Sequence, residues 1–229
     1  MRLNKYLSAA GVCSRRDADK AAKEGRITVN GKEAVPGCDI EPGKDEVRLD
    51  GKLIDKMPDR IVIAYNKPAG VVCSTVSQGR ERNDIITVLG LKERVYPIGR
   101  LDKDSTGLIL LTNDGELTQR ALRGKNGHEK EYIVKVSSDF SASELREIEN
   151  GGIPIEEKRS TRPCRVKKTG KCEYDFILTE GMNRQIRKVC EYFGKTVISL
   201  NRIRFMNIRL DDLKVGEYRI LSPEEADGL

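Results

Sequence analysis

The sequence predicts an α+β protein in which a small basic domain precedes a larger domain built on a mixed, largely antiparallel sheet. Two short helical patterns lead into a hairpin signal near the amino terminus. Beyond them, strand and helix patterns alternate irregularly, with hairpin-like returns between strands. The 229 residues and the hydrophobic content of 38% suffice for one ordinary domain and one small module.

The small domain is predicted to contain two helices followed by a hairpin. Ser14 and Asp17 have capping-box spacing at the start of the second helix. The Asn-Gly pair at 30–31 is a strong turn signal between strands at 26–29 and 32–35. Helical spacing of apolar residues is seen at Leu3, Tyr6, Leu7 and Ala10 in the first helix and at Ala18, Ala21 and Ala22 in the second.

We divide the chain into domains 1–57 and 58–229, because the acidic segment before the boundary is punctuated by proline and glycine. The larger domain continues with alternating strand and helix signals. Its predicted elements are strands at 61–65, 71–75, 108–111 and 132–136, turns at 66–70 and 113–115, a helix over 117–122, a helix capped by Ser141 and Glu144, and a helix with Ile186, Val189, Cys190 and Phe193 on its apolar face.

The net charge of +6 is unevenly distributed along the chain. Residues 1–32 carry eight basic residues against three acidic ones, 158–171 carry seven against none, and 182–209 carry seven against one. Residues 33–59 carry four basic residues and eight acidic ones. Concentrated cations favour a polyanionic partner such as RNA, although any single run is also typical of a solvated surface.

The cysteine and histidine content argues against a metal site and a disulfide framework, and the charges of the amino terminus argue against an export signal. The six cysteines are dispersed without a C-x-x-C pair, and His128 is the single histidine. The amino terminus has charges where a signal peptide needs an apolar stretch, and no window resembles a membrane span. We therefore expect a cytoplasmic protein with reduced thiols, no metal and no membrane partner. We also expect it to be a monomer that uses no cofactor.

The segment 99–114 places an acid in a polar loop directly before an apolar run. Asp102 is flanked by Arg100 and Lys103, and the run at 108–111 anchors the loop on a buried strand. A carboxylate there is rigidly mounted and accessible. Taken alone, the segment is equally typical of turn-forming aspartates that bond their own backbone.

Four blocks, in order, resemble the RsuA-type pseudouridine synthases. They are the sequences YNKPAGVVCS at 65–74, GRLD at 99–102, EKEYIVKV at 129–136 and EGMNRQIRKVC at 180–190. The resemblance extends over nearly the whole chain, and the segment 127–132 is most similar to the RluF-like group. The resemblance implies isomerisation of a uridine in RNA to pseudouridine without metal or cofactor.

The resemblance also implies roles for individual residues. Asp102 matches the essential carboxylate, Arg187 the arginine that pairs with it, and Tyr132 the aromatic residue that packs on the target base. A paired cation favours the ionised form of a partly buried acid. Read without the resemblance, Arg187 could form an ordinary surface salt bridge and Tyr132 could be a core aromatic on a strand.

Residues 1–50 resemble the alpha-L RNA-binding motif of ribosomal-protein type. The cations predicted to contact RNA are Arg2, Lys5, Arg15, Arg16, Lys20 and Arg26 in this module, and Arg100, Arg184 and Lys188 in the larger domain. Lys188 stands where many members of the resembled family have a second arginine. Arg100 matches a residue that enters the space left by the flipped nucleotide.

The implied partner is ribosomal RNA or a ribosomal-subunit precursor. Large-subunit RNA is favoured, and small-subunit RNA is the nearest alternative. Two other functions stay open at this point: a non-catalytic RNA-binding assembly factor, and an enzyme that acts on phosphate-bearing small molecules. The sequence does not decide whether the acid attacks the sugar carbon or removes a sugar proton.

Overall fold

The structure, a computed structural model, describes residues 1–74, 83–123, 127–157 and 159–229. The described residues form two compact units. The smaller unit comprises Met1–Arg60, Lys92–Arg94 and Asn113–Gly115, and the larger comprises Ile61–Leu91, Val95–Thr112 and Glu116–Leu229. The predicted α+β class is confirmed, and the boundary after residue 57 stays a prediction.

The smaller unit packs two helices against a four-stranded antiparallel sheet. Its elements are α1 (Leu3–Ala9), α2 (Arg15–Lys23), β1 (Ile27–Val29), β2 (Lys32–Glu33), β3 (Val47–Leu49) and β4 (Lys52–Leu53), with strand order β2-β1-β3-β4. The hydroxyl of Ser14 caps α2 by accepting from the Asp17 backbone nitrogen at 3.1 Å. Leu7, Ile27 and Val47 are fully buried between the layers, as the apolar spacing predicts.

The larger unit is built on a nine-stranded sheet, counted over the described residues. The main strand order is β11-β12-β8-β13-β7-β5-β15, with β14 beside β13 and β6 beside β7. The elements are β5 (Val62–Lys67), α3 (Ile85–Leu89), β6 (Tyr96–Ile98), β7 (Thr106–Thr112), α4 (Gly115–Leu122), β8 (Lys130–Val136), α5 (Ala142–Asn150), β9 (Pro154–Glu156), β10 (Arg159–Ser160), β11 (Arg165–Gly170), β12 (Glu173–Leu178), α6 (Gln185–Tyr192), β13 (Val197–Phe205), β14 (Ile208–Arg209), β15 (Tyr218–Ile220) and α7 (Pro223–Asp227).

Alternating side chains on the central strands enter two separate cores, one on each face of the sheet. On β7, Ile109 and Leu111 belong to the core that contains residues of α3, α5 and α6. Leu108 and Leu110 belong to the core that contains residues of α4 and α7. Both faces are covered, which explains why residues 108–111 form an uninterrupted apolar run.

The sheet is mixed because β7 and β13 run parallel while the other pairs are antiparallel. The two strands meet at Gly107, which pairs with Arg202 and has a φ of 101°. A Cβ atom at Gly107 would collide with the Arg202 backbone and the side-chain amide of Asn201. Glycine therefore permits the close approach of the strand that follows the Asp102 loop.

The predicted strand at 71–75 is wrong in its described part. Residues 71–74 contain an isolated bridge between Val72 and Asp84, and residue 75 lies outside the described residues. The backbone there bonds locally: the Val71 carbonyl accepts from the Lys67 ammonium, and the Val72 nitrogen donates to the Asn83 carbonyl. These bonds use the groups that a sheet ladder would need.

Other boundaries differ by a few residues. Helix α4 begins at Gly115, inside the turn predicted at 113–115, and β8 begins at Lys130, two residues before the predicted start. The capping box predicted at Ser141 and Glu144 is present in full.

We predict that Gly107→Ala destabilises the larger unit by about 1–3 kcal/mol more than Gly216→Ala does, because its Cβ overpacks against a neighbouring backbone. Gly216 is the matched control, since it also has a positive φ of 83° but has open space around its Cβ position. Urea unfolding of both variants measures the difference. Equal losses of stability would show that the strands do not require glycine for their approach.

Candidate active site

The Asp102 loop connects β6 to β7 and is fixed through its main chain. The Leu101 side chain is buried, and its backbone nitrogen contacts the Cys73 sulfur at 3.4 Å. The Ser105 nitrogen donates to the Asp102 carbonyl at 3.1 Å. These contacts leave the Asp102 carboxylate 31% exposed. The acid is therefore rigidly mounted and accessible, as the sequence predicts.

Lys67 is the buried residue that anchors this loop. Its side chain is 0% exposed, and its ammonium donates to the carbonyls of Pro68 and Val71, each at 2.9 Å, and of Lys103 at 3.3 Å. The Gly70 nitrogen donates to the same Lys103 carbonyl at 2.8 Å. Burial lowers the pKa of Lys67 from its ordinary value. The sequence places Lys67 in the block YNKPAGVVCS and in a predicted turn, and neither feature gives it a role in the site.

Helix α6 brings two arginines to the loop. Gln185 is buried at its first position, where it donates to the Glu180 carboxylate at 2.7 Å and accepts from the Met182 nitrogen at 3.1 Å. Arg184 precedes the helix in the left-handed region, with a φ of 54°. These contacts form a turn that fixes the direction in which α6 starts. They thereby also fix the place of Arg187, which is the third residue of the helix.

Both arginines face the same carboxylate oxygen. The distance from Asp102 Oδ2 is 3.8 Å to Arg187 Nε and 3.7 Å to Arg184 Nη1. Both contacts are ion pairs whose distances are too long for a hydrogen bond. Arg187 Nη2 also lies 3.4 Å from the Ser105 hydroxyl. The Arg187 side chain is 15% exposed and Arg184 is 46% exposed, so Arg187 contributes the more desolvated charge.

Arg187 Nε is buried and has no hydrogen-bond partner within the described residues. An unpartnered donor is costly inside a protein, and native structures rarely keep one without a reason. Here the donor faces the acid that sequence reasoning selects, from a helix that lies 85 positions later in the chain. Such a side chain differs from the exposed surface salt bridge that the sequence left open.

An open cleft of about 180 Å³ lies beside this pair. Tyr132 on β8 is 9% exposed and lines it, together with Asp102 and Arg187. Apolar side chains contribute much of the remaining wall: Leu178, Met182, Ile186, Leu200 and Phe205. The cleft thus combines a carboxylate, cations, an aromatic ring and apolar surface, which suits a flat heterocycle.

Of the cations predicted to contact RNA in the larger domain, two line the cleft and one does not. Arg100 and Arg184 line both the cleft and an adjoining groove of about 830 Å³. Lys188 lines neither and lies 3.5 Å from the Glu156 carboxylate. The structure therefore brings Asp102, Tyr132, Arg187, Arg100 and Arg184 together.

The six predicted RNA contacts of the small domain lie in the smaller unit and differ in their surroundings. Arg15 and Arg16, at the start of α2, are exposed and form no ion pair with any residue that the structure describes. Lys5 is partly buried on α1. The remaining three face carboxylates: Arg2 faces Asp39 at 3.5 Å, Lys20 faces Glu24 at 3.8 Å, and Arg26 forms a two-point pair with Asp50 at 2.6 and 2.8 Å.

Two cleft cations have no role in the sequence-based prediction. Lys130 and Arg202 line the wall that also carries Tyr132. In the sequence, Lys130 is one residue of the block EKEYIVKV, and Arg202 is one charge of the basic run at 182–209. Spacing gives no signal for Arg202, because it becomes a cleft residue only when β13 pairs with β8.

Comparison with known proteins follows the same division of the chain. Residues 61–192 match the RNA pseudouridylate synthase family, and residues 1–45 match the S4 domain. The chain belongs to the RNA pseudouridylate synthase family. The resemblance seen in the sequence is confirmed, and the protein is a pseudouridine synthase with an amino-terminal S4 domain.

Relatives of this synthase match it over nearly its full length. Dual-specificity RNA pseudouridine synthase RluF of Escherichia coli (strain K12) is 44% identical over 98% of this chain and 77% of its own. Ribosomal large subunit pseudouridine synthase B of Bacillus subtilis (strain 168) is 34% identical over 100% of this chain and 95% of its own. A crystal structure of a pseudouridylate synthase superposes with a TM-score of 0.71 at 26% identity, covering 100% of this chain and 99% of the other.

The described helices are all too short or too polar to span a membrane. Among the residues that the structure describes, no three histidine, cysteine, aspartate or glutamate side chains are grouped as metal ligands.

The surroundings of Lys130 predict a pH effect on the stability of this synthase. Burial and the nearby Arg202 cation lower the pKa of Lys130 to about 8, against the opposing effect of Glu180. Between pH 8 and the ordinary lysine range, the unfolded chain then binds more protons at this site than the folded chain does. Stability contributed by this group therefore rises with pH through that window.

We predict that the wild type gains stability relative to Lys130→Met between pH 8 and the ordinary lysine range, as measured by urea unfolding at several pH values. Parallel pH profiles would contradict the prediction.

Proposed function

We propose that this synthase converts a specific uridine of ribosomal RNA to pseudouridine, with Asp102 as the catalytic carboxylate. The observation that carries the proposal is the Asp102 carboxylate in the cleft, with the buried Arg187 Nε at 3.8 Å. A carboxylate held by a guanidinium stays available as a nucleophile or base. Its exposed fraction of 31% leaves room for a nucleotide to approach.

The proposed reaction breaks the bond between uracil N1 and ribose C1′ and forms a bond between C5 and the same carbon. Asp102 either attacks C1′ or removes a sugar proton, Arg187 orients the carboxylate, and Tyr132 holds the base. The base must leave the RNA stack to enter a cleft of this size. Arg100 lines the cleft and the adjoining groove, which is consistent with a role in filling the space that the flipped nucleotide leaves.

The choice of ribosomal RNA rests on the relatives and on the charge. One relative is named as a ribosomal large-subunit synthase and another as a dual-specificity RNA synthase. Large-subunit RNA is therefore the favoured substrate, with small-subunit RNA as the alternative. Ribosomal RNA or a ribosomal-subunit precursor is the expected partner, and the cytoplasm is the expected compartment. The groove that adjoins the cleft is lined by three cations and one carboxylate, which suits a phosphate backbone.

A non-catalytic binding protein is a weaker interpretation. Loss of catalysis would relax the requirement for Asp102, Arg187 and their approach, and all three are present. Binding of a small phosphate compound is also disfavoured, because the cleft walls are largely apolar beside the Asp102 pair.

We predict that Asp102→Asn lowers the rate of pseudouridine formation by at least about 10³-fold, since the amide can neither attack C1′ nor accept the sugar proton. Asp104→Asn is the matched control, because Asp104 is an exposed acid of the same loop. Each variant is introduced into cells that lack the gene, and pseudouridines are mapped in total RNA. We expect a large-subunit position to be modified with the wild type and Asp104→Asn, and unmodified with Asp102→Asn. Full modification with Asp102→Asn would refute the proposed role.

We predict that the double variant Arg15→Gln/Arg16→Gln weakens RNA binding and lowers the slope of log Kd against log salt by about 1–2, because each lost phosphate contact removes about one released counterion. Arg48→Gln/Lys52→Gln removes the same charge from the same unit and serves as control. A filter-binding assay at several salt concentrations measures both. Equal salt slopes for the two double variants would remove Arg15 and Arg16 from the RNA-binding surface.

A further inference from the structure

Two further cations, Lys130 on β8 and Arg202 on β13, line the cleft. In the pairing of β8 with β13, Arg202 lies opposite Tyr132 and Phe205 lies opposite Lys130. Lys130 and Tyr132 are two residues apart on β8 and therefore project to the same face. The two cations thus neighbour Tyr132, the residue proposed to hold the base, one on its own strand and one on the adjacent strand.

Arg202 is buried and incompletely bonded. Its side chain is 3% exposed, and its Nε donates to the Leu108 carbonyl at 2.6 Å. Its Nη2 is buried and has no hydrogen-bond partner among the described residues. The bond from Nε fixes the guanidinium against β7, whereas Nη2 has no acceptor among the described residues. A buried donor in this condition favours any acceptor that enters the cleft.

Lys130 is partly buried next to Arg202. Its ammonium donates to the His128 carbonyl at 3.0 Å and lies 5.6 Å from the centre of the Phe205 ring. The Arg202 guanidinium lies 5.4 Å from the same ring. Within the described part of the chain neither cation forms an ion pair with a carboxylate. Two like charges so arranged repel each other, which an anion between them would relieve.

The reaction proposed above generates such an anion. When the N1–C1′ bond breaks, its electron pair stays on the base, and the negative charge spreads over N1 and the carbonyl oxygens O2 and O4. C1′ is satisfied by an oxygen of Asp102 or by loss of a sugar proton to Asp102. After the base turns, C5 bonds to C1′. In the first route this bond displaces the Asp102 oxygen from C1′, and in the second Asp102 returns the proton to the sugar. The proton of C5 is lost and N1 gains one, so Asp102 is regenerated and the product is an isomer of the substrate.

We propose that Lys130 and Arg202 bind the carbonyl oxygens of the uracil and stabilise the detached uracil anion while it turns. This inference rests on the proposed function of the Asp102 site. Fixed cations in a desolvated cleft stabilise charge that develops during the reaction more strongly than solvent does. With two donors on one wall, the carbonyl oxygens of the base would have hydrogen-bond partners both before and after the base turns. The residues would act on the base, whereas Asp102 and Arg187 act on the sugar.

The test uses the leaving ability of the base. Fluorine at C5 withdraws electrons and makes uracil a better leaving group, so an RNA that carries 5-fluorouridine at the target site depends less on stabilisation of the anion. Single-turnover rates are measured on both RNAs as loss of the target uridine or 5-fluorouridine, by chromatography after nuclease digestion, because the fluorinated base has no C5 proton to lose in the final step. The full-length protein is compared with Lys130→Met, with Lys130→Arg, which keeps the charge, and with Lys135→Met, an exposed position of the same strand.

We expect Lys130→Met to lower the rate on uridine RNA by about 10²-fold, in the range observed for loss of one charge-stabilising donor. The loss on 5-fluorouridine RNA is expected to be at least about tenfold smaller, Lys130→Arg to recover much of the rate, and Lys135→Met to leave it unchanged. Arg202→Met is expected to show the same dependence on the substrate. Arg202 also donates to the Leu108 carbonyl, so the stability of Arg202→Met to urea is compared with that of the wild type. If Arg202→Met does not fold, the Lys130 variants alone decide the test.

The outcomes separate this inference from the proposed function. Equal loss on both RNAs would assign Lys130 a structural role and overturn the inference, as would full activity of Lys130→Met. In both cases the proposed function would stand. A wild-type protein that converts no uridine, or an Asp102→Asn variant that converts it fully, would overturn the proposed function itself.

Discussion

The approach of Arg187 to Asp102 is the interaction on which the rest of the site depends. It joins a loop before β7 to a helix far along the chain, and it places a largely buried guanidinium 3.8 Å from a partly exposed carboxylate. Removing the guanidinium would leave a carboxylate on an apolar-walled cleft without its most desolvated counter-charge. The pair therefore connects the loop between β6 and β7 to helix α6 at the cleft.

The scaffold around this pair keeps both partners in place by main-chain contacts. The Lys67 ammonium donates to three backbone carbonyls, one of which lies in the Asp102 loop. Gly107 lets β7 approach β13 immediately after that loop, and Gln185 fixes the turn from which α6 begins. A loop held in this way gives the acid a narrow range of positions, so that substrate binding need not order it first.

Charge is arranged on two scales in this synthase. In the larger unit, the cleft collects cations from two strands, one helix and the segments before β7 and α6, around two carboxylates, Asp102 and Glu180. In the smaller unit, carboxylates engage Arg2, Lys20 and Arg26, while the arginines at the start of α2 are left exposed. Under the proposed function, the exposed arginines of α2 would attract RNA and the cleft cations would stabilise the reacting base, so that the two tasks would use separate sets of cations.

The sequence by itself determined the α+β class, the helices and hairpin of the small unit, the buried strand after the Asp102 loop, and the family, because these follow from local periodicity, capping, turn residues and contiguous motifs. The tertiary structure alone decided that residues 71–74 bond to Lys67 and Asn83 instead of forming a strand, and that Lys130 and Arg202 share a wall with Tyr132. The first outcome depends on a buried lysine whose ammonium satisfies the Val71 carbonyl, and the second on the pairing of β8 with β13. The pattern of neighbouring residues specifies neither the burial of that lysine nor the strand that Arg202 will face.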